Sequence, residues 1–311
     1  MRLKNSLSGT GRNGLTIGTV LLPLAMFLVL ILLTPRFLTV FNLANVNSQI
    51  AALFIVSLGQ MFVAISRGID LSVGAVMSVT SAILVTVDPC IAVPLAVFAG
   101  FTSGLVNGIG VAVFGVHPLV MTLASMTFLQ GFALLIHPAP GGTVPETLVW
   151  LASVRIGGVP AALAWCLVSG LAMGWLLTQT RFGLRVFAIG GNPDSAARNG
   201  ISVSRYRIAS HVLCALLAVV AGIYLSGRVS AGDPTMGTPY ALDSVAAIAL
   251  GGVQLAGGVG GVIGVLMGSI VLGLLTNGMN LLGVSPFLRM AATGVLLLLA
   301  ISVQRRTVIG V

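Results

Sequence analysis

The sequence predicts an all-α polytopic membrane protein of about ten transmembrane helices with both termini cytoplasmic. Three observations predict it: an apolar composition, runs of membrane-spanning length and a sorted distribution of basic residues. Of the 311 residues, 57% are hydrophobic and 7% charged, whereas a soluble domain is roughly half apolar and a quarter charged. A bilayer core about 30 Å thick takes roughly 20 apolar residues per helix, and runs near that length recur from Leu15 to Val303. A transmembrane β-barrel would alternate apolar and polar residues in short segments. Residues 21–33 and 296–301 are instead apolar on every side.

Taken in order, the expected spans are about 15–33, 43–65, 71–87, 91–114, 119–136, 159–178, 208–226, 242–256, 259–276 and 287–303. The first follows Arg2, Lys4 and Arg12 and so resembles a signal peptide. Its length exceeds a signal h-region, however, and Thr34-Pro35-Arg36-Phe37 offers no small-residue cleavage site. The third begins after Asp70 and Ser72, which are placed to cap it. The fourth carries Ala99-Gly100-Phe101-Thr102-Ser103-Gly104, and the ninth carries Gly264 and Gly268 four apart on one face. In lipid such spacing lets helix backbones approach closely. An acidic residue and a serine stand at a span boundary in both Gly68-Ile69-Asp70-Leu71-Ser72-Val73-Gly74 and Ala241-Leu242-Asp243-Ser244-Val245-Ala246, a match too weak to establish an internal repeat.

Orientation follows from the positive-inside rule. With ten spans, the inner side receives Arg2, Lys4, Arg12, Arg67, Arg181, Arg185, Arg198, Arg205, Arg207, Arg305 and Arg306. The outer side receives Arg36, Arg155, Arg228 and Arg289, giving eleven against four. The whole chain, residues 1–311, then reads as one membrane domain with a cytoplasmic tail at 1–14, a long periplasmic loop at 137–158 and a basic cytoplasmic loop at 179–207. The two loops are candidate docking surfaces for an external and a cytoplasmic partner.

Several functions are disfavoured by the same residues. The net charge of +9 forms no contiguous basic patch with interleaved aromatics, so no nucleic-acid partner is expected. Cys90, Cys166 and Cys214 are odd in number and widely spaced, which suits packing and neither a disulfide framework nor a metal site. His117, His137 and His211 stand apart at span boundaries, with no nucleophile or metal motif, so neither catalytic nor metal-binding residues are expected. Charged residues fall near span boundaries, which disfavours a gradient-coupled secondary transporter of a small polar solute, the main alternative. A P-loop needs a lysine against the nucleotide phosphates, and the only lysine is Lys4. ATP-driven action would need a separate motor subunit.

Four stretches decide between a passive channel and such a permease. They are Gly68-Ile69-Asp70-Leu71-Ser72-Val73-Gly74, Phe187-Ala188-Ile189-Gly190-Gly191-Asn192, and Ala249-Leu250-Gly251-Gly252-Val253-Gln254-Leu255-Ala256-Gly257-Gly258 running on to Asn277-Gly278-Met279-Asn280-Leu281-Leu282-Gly283-Val284. Together, in order and over nearly the whole chain, they resemble the ribose-type permease family of bacterial ABC importers. The resemblance implies a multi-pass inner-membrane subunit translocating a ribose-like or related monosaccharide. It implies three partners: a cytoplasmic ABC ATPase that holds the ATP and Mg, a periplasmic sugar-binding protein, and a second copy or homologous permease. It also makes 179–207 a coupling loop, in which Gly190, Gly191, Asn192, Pro193, Ala196, Ala197, Arg198 and Gly200 match the segment expected to press into the ATPase. Asp70, Ser72, Asn107, Gln130, Asn277 and Asn280 are candidates for the translocation path or gate, because a sugar passage needs hydroxyls and amides. Capping by Asp70 and Ser72 and interhelical hydrogen bonding by the amides are the structural alternatives.

Overall fold

A computed structural model of the chain describes residues 17–303. The expected tail at 1–14 and the Arg305-Arg306 pair lie outside the described residues. In chain order the helices are α1 (Ile17–Leu33), α2 (Val40–Ile65), α3 (Val73–Thr86), α4 (Pro89–Ala112), α5 (Pro118–Ile136), α6 (Glu146–Ser153), α7 (Ala161–Gln179), α8 (Arg181–Gly191), α9 (Pro193–Arg198), α10 (Val203–Val229), α11 (Tyr240–Leu250), α12 (Val262–Leu281) and α13 (Pro286–Val303). A 3-10 turn at Pro35–Leu38 precedes α2, and a two-stranded antiparallel ribbon, β1 (Arg155–Ile156) with β2 (Val159–Pro160), precedes α7.

Six helices, α2, α4, α5, α7, α10 and α12, are long and apolar enough to cross a membrane. The shorter apolar helices α1, α3, α11 and α13 fall on the remaining four expected spans. Local chemistry sets many of the starts. Proline occupies the first turn of α4, α5 and α9, where its missing N–H would have had no partner in any case. Asp88 accepts a hydrogen bond from Cys90 N at 2.9 Å to cap α4.

Two of the expected spans are shorter in the structure. α3 has 14 residues, about 21 Å at 1.5 Å per residue, because residues 70–72 are spent in a side-chain-stabilised turn. α11 has 11 residues and stops where Gly251 and Gly252 begin a loop, Gly252 having a φ of 79°.

Helices α2 and α10 form the centre and run antiparallel. Tyr224 Oη donates to Ser48 O at 3.3 Å, and lower down Gly59 lies against Cys214, where a Cβ would sit 2.8 Å from the Cys214 Cα. Glycine stripes close the other main contacts. Gly104 and Gly108 of α4 are pressed on Val212 and Ile208 of α10, with room for no Cβ. Gly268 and Gly264 of α12 meet Ala247 O and Gly251 O at the α11 end, as their spacing predicts.

Two ends of the bundle can be told apart. One holds α6, which packs on Gly227 of α10, and a bridge between Gly141 and Gly232 that joins the segment 137–158 to the α10–α11 connection. The other holds α8, α9, the end of α2 and the α4–α5 turn. Arg67, Arg181, Arg185, Arg198, Arg205 and Arg207 lie toward the second end and Arg155 and Arg228 toward the first, the separation the charge distribution predicts.

A structural correspondence links the two short helices. Asp70 Oδ1 accepts from Ser72 N at 2.9 Å and Ser72 Oγ at 2.6 Å ahead of α3. Asp233 Oδ1 accepts from Thr235 N and Thr235 Oγ1, both at 2.7 Å, ahead of α11. Each turn follows one of the long central helices, and Gly74 and Gly237 bring the two starts into backbone contact. The counterpart of Asp70 is therefore Asp233. Asp243, which the sequence comparison set beside it, lies inside α11.

Candidate functional site

The segment expected to couple is two helices with a sharp joint. α8 is amphipathic, burying Gly183, Val186, Ile189 and Gly190 on one face, the i, i+3, i+7 spacing of a surface helix. Its start is capped by Thr180 Oγ1, which accepts from Gly183 N at 3.4 Å. Arg185 bonds the Tyr206 hydroxyl and lies over its ring. Phe182 packs between Tyr206 and Phe62, with ring centroids 5.8 Å from each. Asn192 ends α8 and starts α9: its side chain accepts from Ser195 N at 2.9 Å, and Pro193 fixes the first turn. Within the expected loop at 179–207, α9 thus begins at Pro193. Ala196 is buried beneath α9, whereas Asn192, Asp194, Ala197, Arg198 and Gly200 are exposed.

What mounts this segment on the core is Arg67, which sequence reasoning treated only as an inner-side charge. Its Nε donates to Gly190 O at 2.8 Å and its Nη2 to Gly191 O at 2.6 Å. Those carbonyls close α8, where a cation is favoured by the negative end of the helix dipole. Arg67 adopts φ 68°, a left-handed conformation that costs a side-chain-bearing residue about 1–2 kcal/mol. Gly190 is wedged beside Ile65 O and Gly258, with a Cβ 1.9 Å from the former, while a Cβ at Gly191 meets nothing within 4 Å. Gly258 N also donates to Ile65 O at 3.0 Å. The end of α2, the end of α8 and the Gly257-Gly258 turn form one junction.

Three path candidates gather just inside that junction. Asp70, Ser72 and Asn107 are fully buried, and Asn107 Nδ2 donates to Ser72 Oγ at 2.8 Å. The Ser72 hydroxyl, bonded to Asp70 and Asn107, does not cap α3; the Asp70 carboxylate holds the start of that helix. Four residues complete the cluster. Ser125 Oγ donates to Asn107 Oδ1, and Thr122 Oγ1 donates to Ile69 O at 3.3 Å. His211 Nδ1 lies 3.1 Å from Asp70 Oδ2, within hydrogen-bonding distance. The Gln60 amide, with its nitrogen toward the Asp70 carbonyl, donates there at 3.0 Å and accepts from Asp70 N at 3.1 Å. His211 is therefore not isolated. Residues of α2, α4, α5 and α10 meet on one turn, in a low-dielectric setting where satisfied networks fix a unique arrangement.

The other candidates are scattered. Gln130 of α5 donates to Pro234 O at 2.7 Å, beside the second aspartate turn. Asn277 exchanges reciprocal bonds of 3.0 and 2.8 Å with Asn42, clamping α12 to α2. Asn280 is exposed near the end of α12. Two cavities, one of about 540 Å3 beside α7, α8 and α12 and one of about 710 Å3 among α1, α2, α7 and α12, are lined mainly by apolar side chains, Leu171 and Val262 in both. Neither borders the polar cluster.

The chain is a bundle of close-packed apolar helices with an appended pair of short helices. Residues 42–301 match the family model described as the permease component of a branched-chain amino acid transport system, and the chain belongs to that family. It is 36% identical over 293 residues to the ribose import permease RbsC of Escherichia coli strain K12, covering 91% of each chain. It is 34% identical over 294 residues to RbsC of Bacillus subtilis, again 91% of each. It is 34% identical over 287 residues to the L-arabinose permease AraH of Escherichia coli strain K12, covering 90% of this chain and 87% of that one. No solved structure matches.

Proposed function

We propose that this chain is the membrane permease subunit of an ATP-binding-cassette importer carrying a monosaccharide, ribose-like or related, across a bacterial inner membrane. The observation that carries the reading is the α8–α9 pair, an exposed short helix mounted through Arg67 on the central helix α2. Ten spans, with both termini cytoplasmic, put this pair on the same side as a cytoplasmic ATPase and the 137–158 segment on the side of a periplasmic binding protein. A second copy or a homologous permease completes the translocation path. ATP and Mg belong to the ATPase, since this chain has no P-loop lysine. The family model is described by amino acid transport, yet the sugar permeases named above match nine-tenths of this chain, and they favour a sugar cargo.

In this mechanism, ATP-driven closure of the ATPases moves α9. The amphipathic α8 acts as a lever, and the Arg67 bonds pass its displacement to the end of α2. Gln60 lies on the same helix and holds the Asp70 turn, so motion of α2 reaches α3, α4, α5 and α10 through one buried cluster. Work is done because the ATPase binds the two conformations unequally. The Asp70 carboxylate already holds Ser72 and His211, so it serves as a structural acceptor.

The test is uptake of a panel of labelled pentoses and hexoses into proteoliposomes containing the chain, its ATPase and its binding protein. Uptake of one sugar class that needs ATP on the ATPase side and survives a protonophore supports the proposal. Uptake driven by an ion gradient without ATP overturns it.

A further inference from the structure

Beside the coupling junction is a cavity of about 400 Å3 between the end of α2, the α4–α5 turn and the first turns of α10. Its lining includes Arg67, His117, Arg207 and His211. Among the described residues neither Arg67 nor Arg207 makes a salt bridge, no carboxylate lines the cavity, and Asp70 is paired with His211. Arg207 Nε is buried without a hydrogen-bond partner among the described residues, which is a costly state for a charged donor. Arg67 spends Nε and Nη2 on Gly190 and Gly191 and keeps its remaining donor free of those two carbonyls. Two guanidinium groups thus share a half-open cavity without a counter-charge.

We propose that this cavity binds a phosphate group, supplied by the headgroup of an anionic lipid or by free phosphate. A tetrahedral oxyanion presents several acceptors to planar guanidinium forks, and the volume accommodates a phosphate with part of a glycerol. Bound there, it pairs the Arg207 and Arg67 guanidinium groups that line the cavity and relieves the repulsion between them, firming the residue that holds α8. Site and ligand are independent of which solute is carried, so failure here leaves the permease reading untouched.

The experiment is native mass spectrometry of the purified full chain with dioleoyl phosphatidylglycerol or phosphatidylcholine, paired with thermal unfolding in inorganic phosphate against chloride at equal ionic strength. Arg207→Gln removes the central donor, and His117→Gln, at the cavity rim, serves if the first variant folds poorly. Retention of phosphatidylglycerol over phosphatidylcholine by about tenfold, reduced in either variant, supports the site with lipid as source. A phosphate-specific rise in unfolding temperature that the variants lose, without lipid preference, supports it with free phosphate as source. Equal retention of both lipids with no phosphate effect overturns the proposal, as does an anion preference that both variants keep.

Discussion

Replacing Arg67 with methionine removes two hydrogen bonds while keeping a stem of similar length. Charge-assisted bonds contribute about 1.5–3 kcal/mol each when buried, but Arg67 is exposed, so about 1–2 kcal/mol for the pair is the appropriate scale. The substitution leaves the cost of the left-handed backbone at φ 68° in place, so the difference reports the tether. If the tether is what transmits α8 motion, that energy corresponds to a roughly 5- to 30-fold drop in solute moved per ATP hydrolysed. The assay is simultaneous measurement of uptake and phosphate release in proteoliposomes. Arg67→Lys restores charge without the two-pronged geometry and should recover only part of the ratio. Arg67→Met protein that hydrolyses ATP and transports with an unchanged ratio would refute the assignment of Arg67 as the tether.

Other predictions follow from the same geometry. Gly190→Ala forces a Cβ to 1.9 Å from Ile65 O, whereas Gly191→Ala meets open space. Thermal unfolding in detergent should therefore show a loss of about 2 kcal/mol or more for the first and almost none for the second. Asp70→Asn weakens the acceptor shared by Ser72 and His211 and should cost about 1–3 kcal/mol of stability. The uptake of the folded fraction should remain insensitive to a protonophore; sensitivity would mean the residue does more than hold the turn. A double-mutant cycle of Asn42→Leu and Asn277→Leu should give a coupling energy of about 0.6–1 kcal/mol, the scale of interhelical polar contacts in membranes. Additive effects would show the reciprocal pair is absent in the bilayer.

Much of the bundle was legible in the sequence because membrane helices announce themselves one at a time. The apolar runs around residues 43–65 and 119–136 became α2 and α5 nearly to the residue, and the spacing of Gly264 and Gly268 marked a close helix contact whose partner, α11, only the structure supplies. The joint between α8 and α9 at Asn192-Pro193 rests on capping and proline chemistry, which are local. Contacts between distant segments were not legible. Asp70 and His211 are 141 positions apart, and no periodicity links them. Arg67 read as an inner-side charge because its partners are backbone carbonyls, which carry no residue signature. The sequence sets Asp243 beside Asp70 only weakly, as an acidic residue followed by a serine at a span boundary. The real counterpart, Asp233, stands in a loop before Pro234, outside any apolar run, so nothing in the sequence marks it. Asn277 drew attention as a polar residue in a span, and only the placement of Asn42 makes it a clamp.

The most direct measurement is site-specific photo-cross-linking in the reconstituted complex, with a photoreactive residue at Ala197 on the exposed side of α9 or at Glu146 of α6 at the opposite end of the bundle. Coupling through α8 and α9 predicts that Ala197 captures the ATPase, with a yield that changes on ATP addition, while Glu146 captures the binding protein and never the ATPase. Capture of the ATPase from Glu146, or none from Ala197 in a complex that transports, would contradict it.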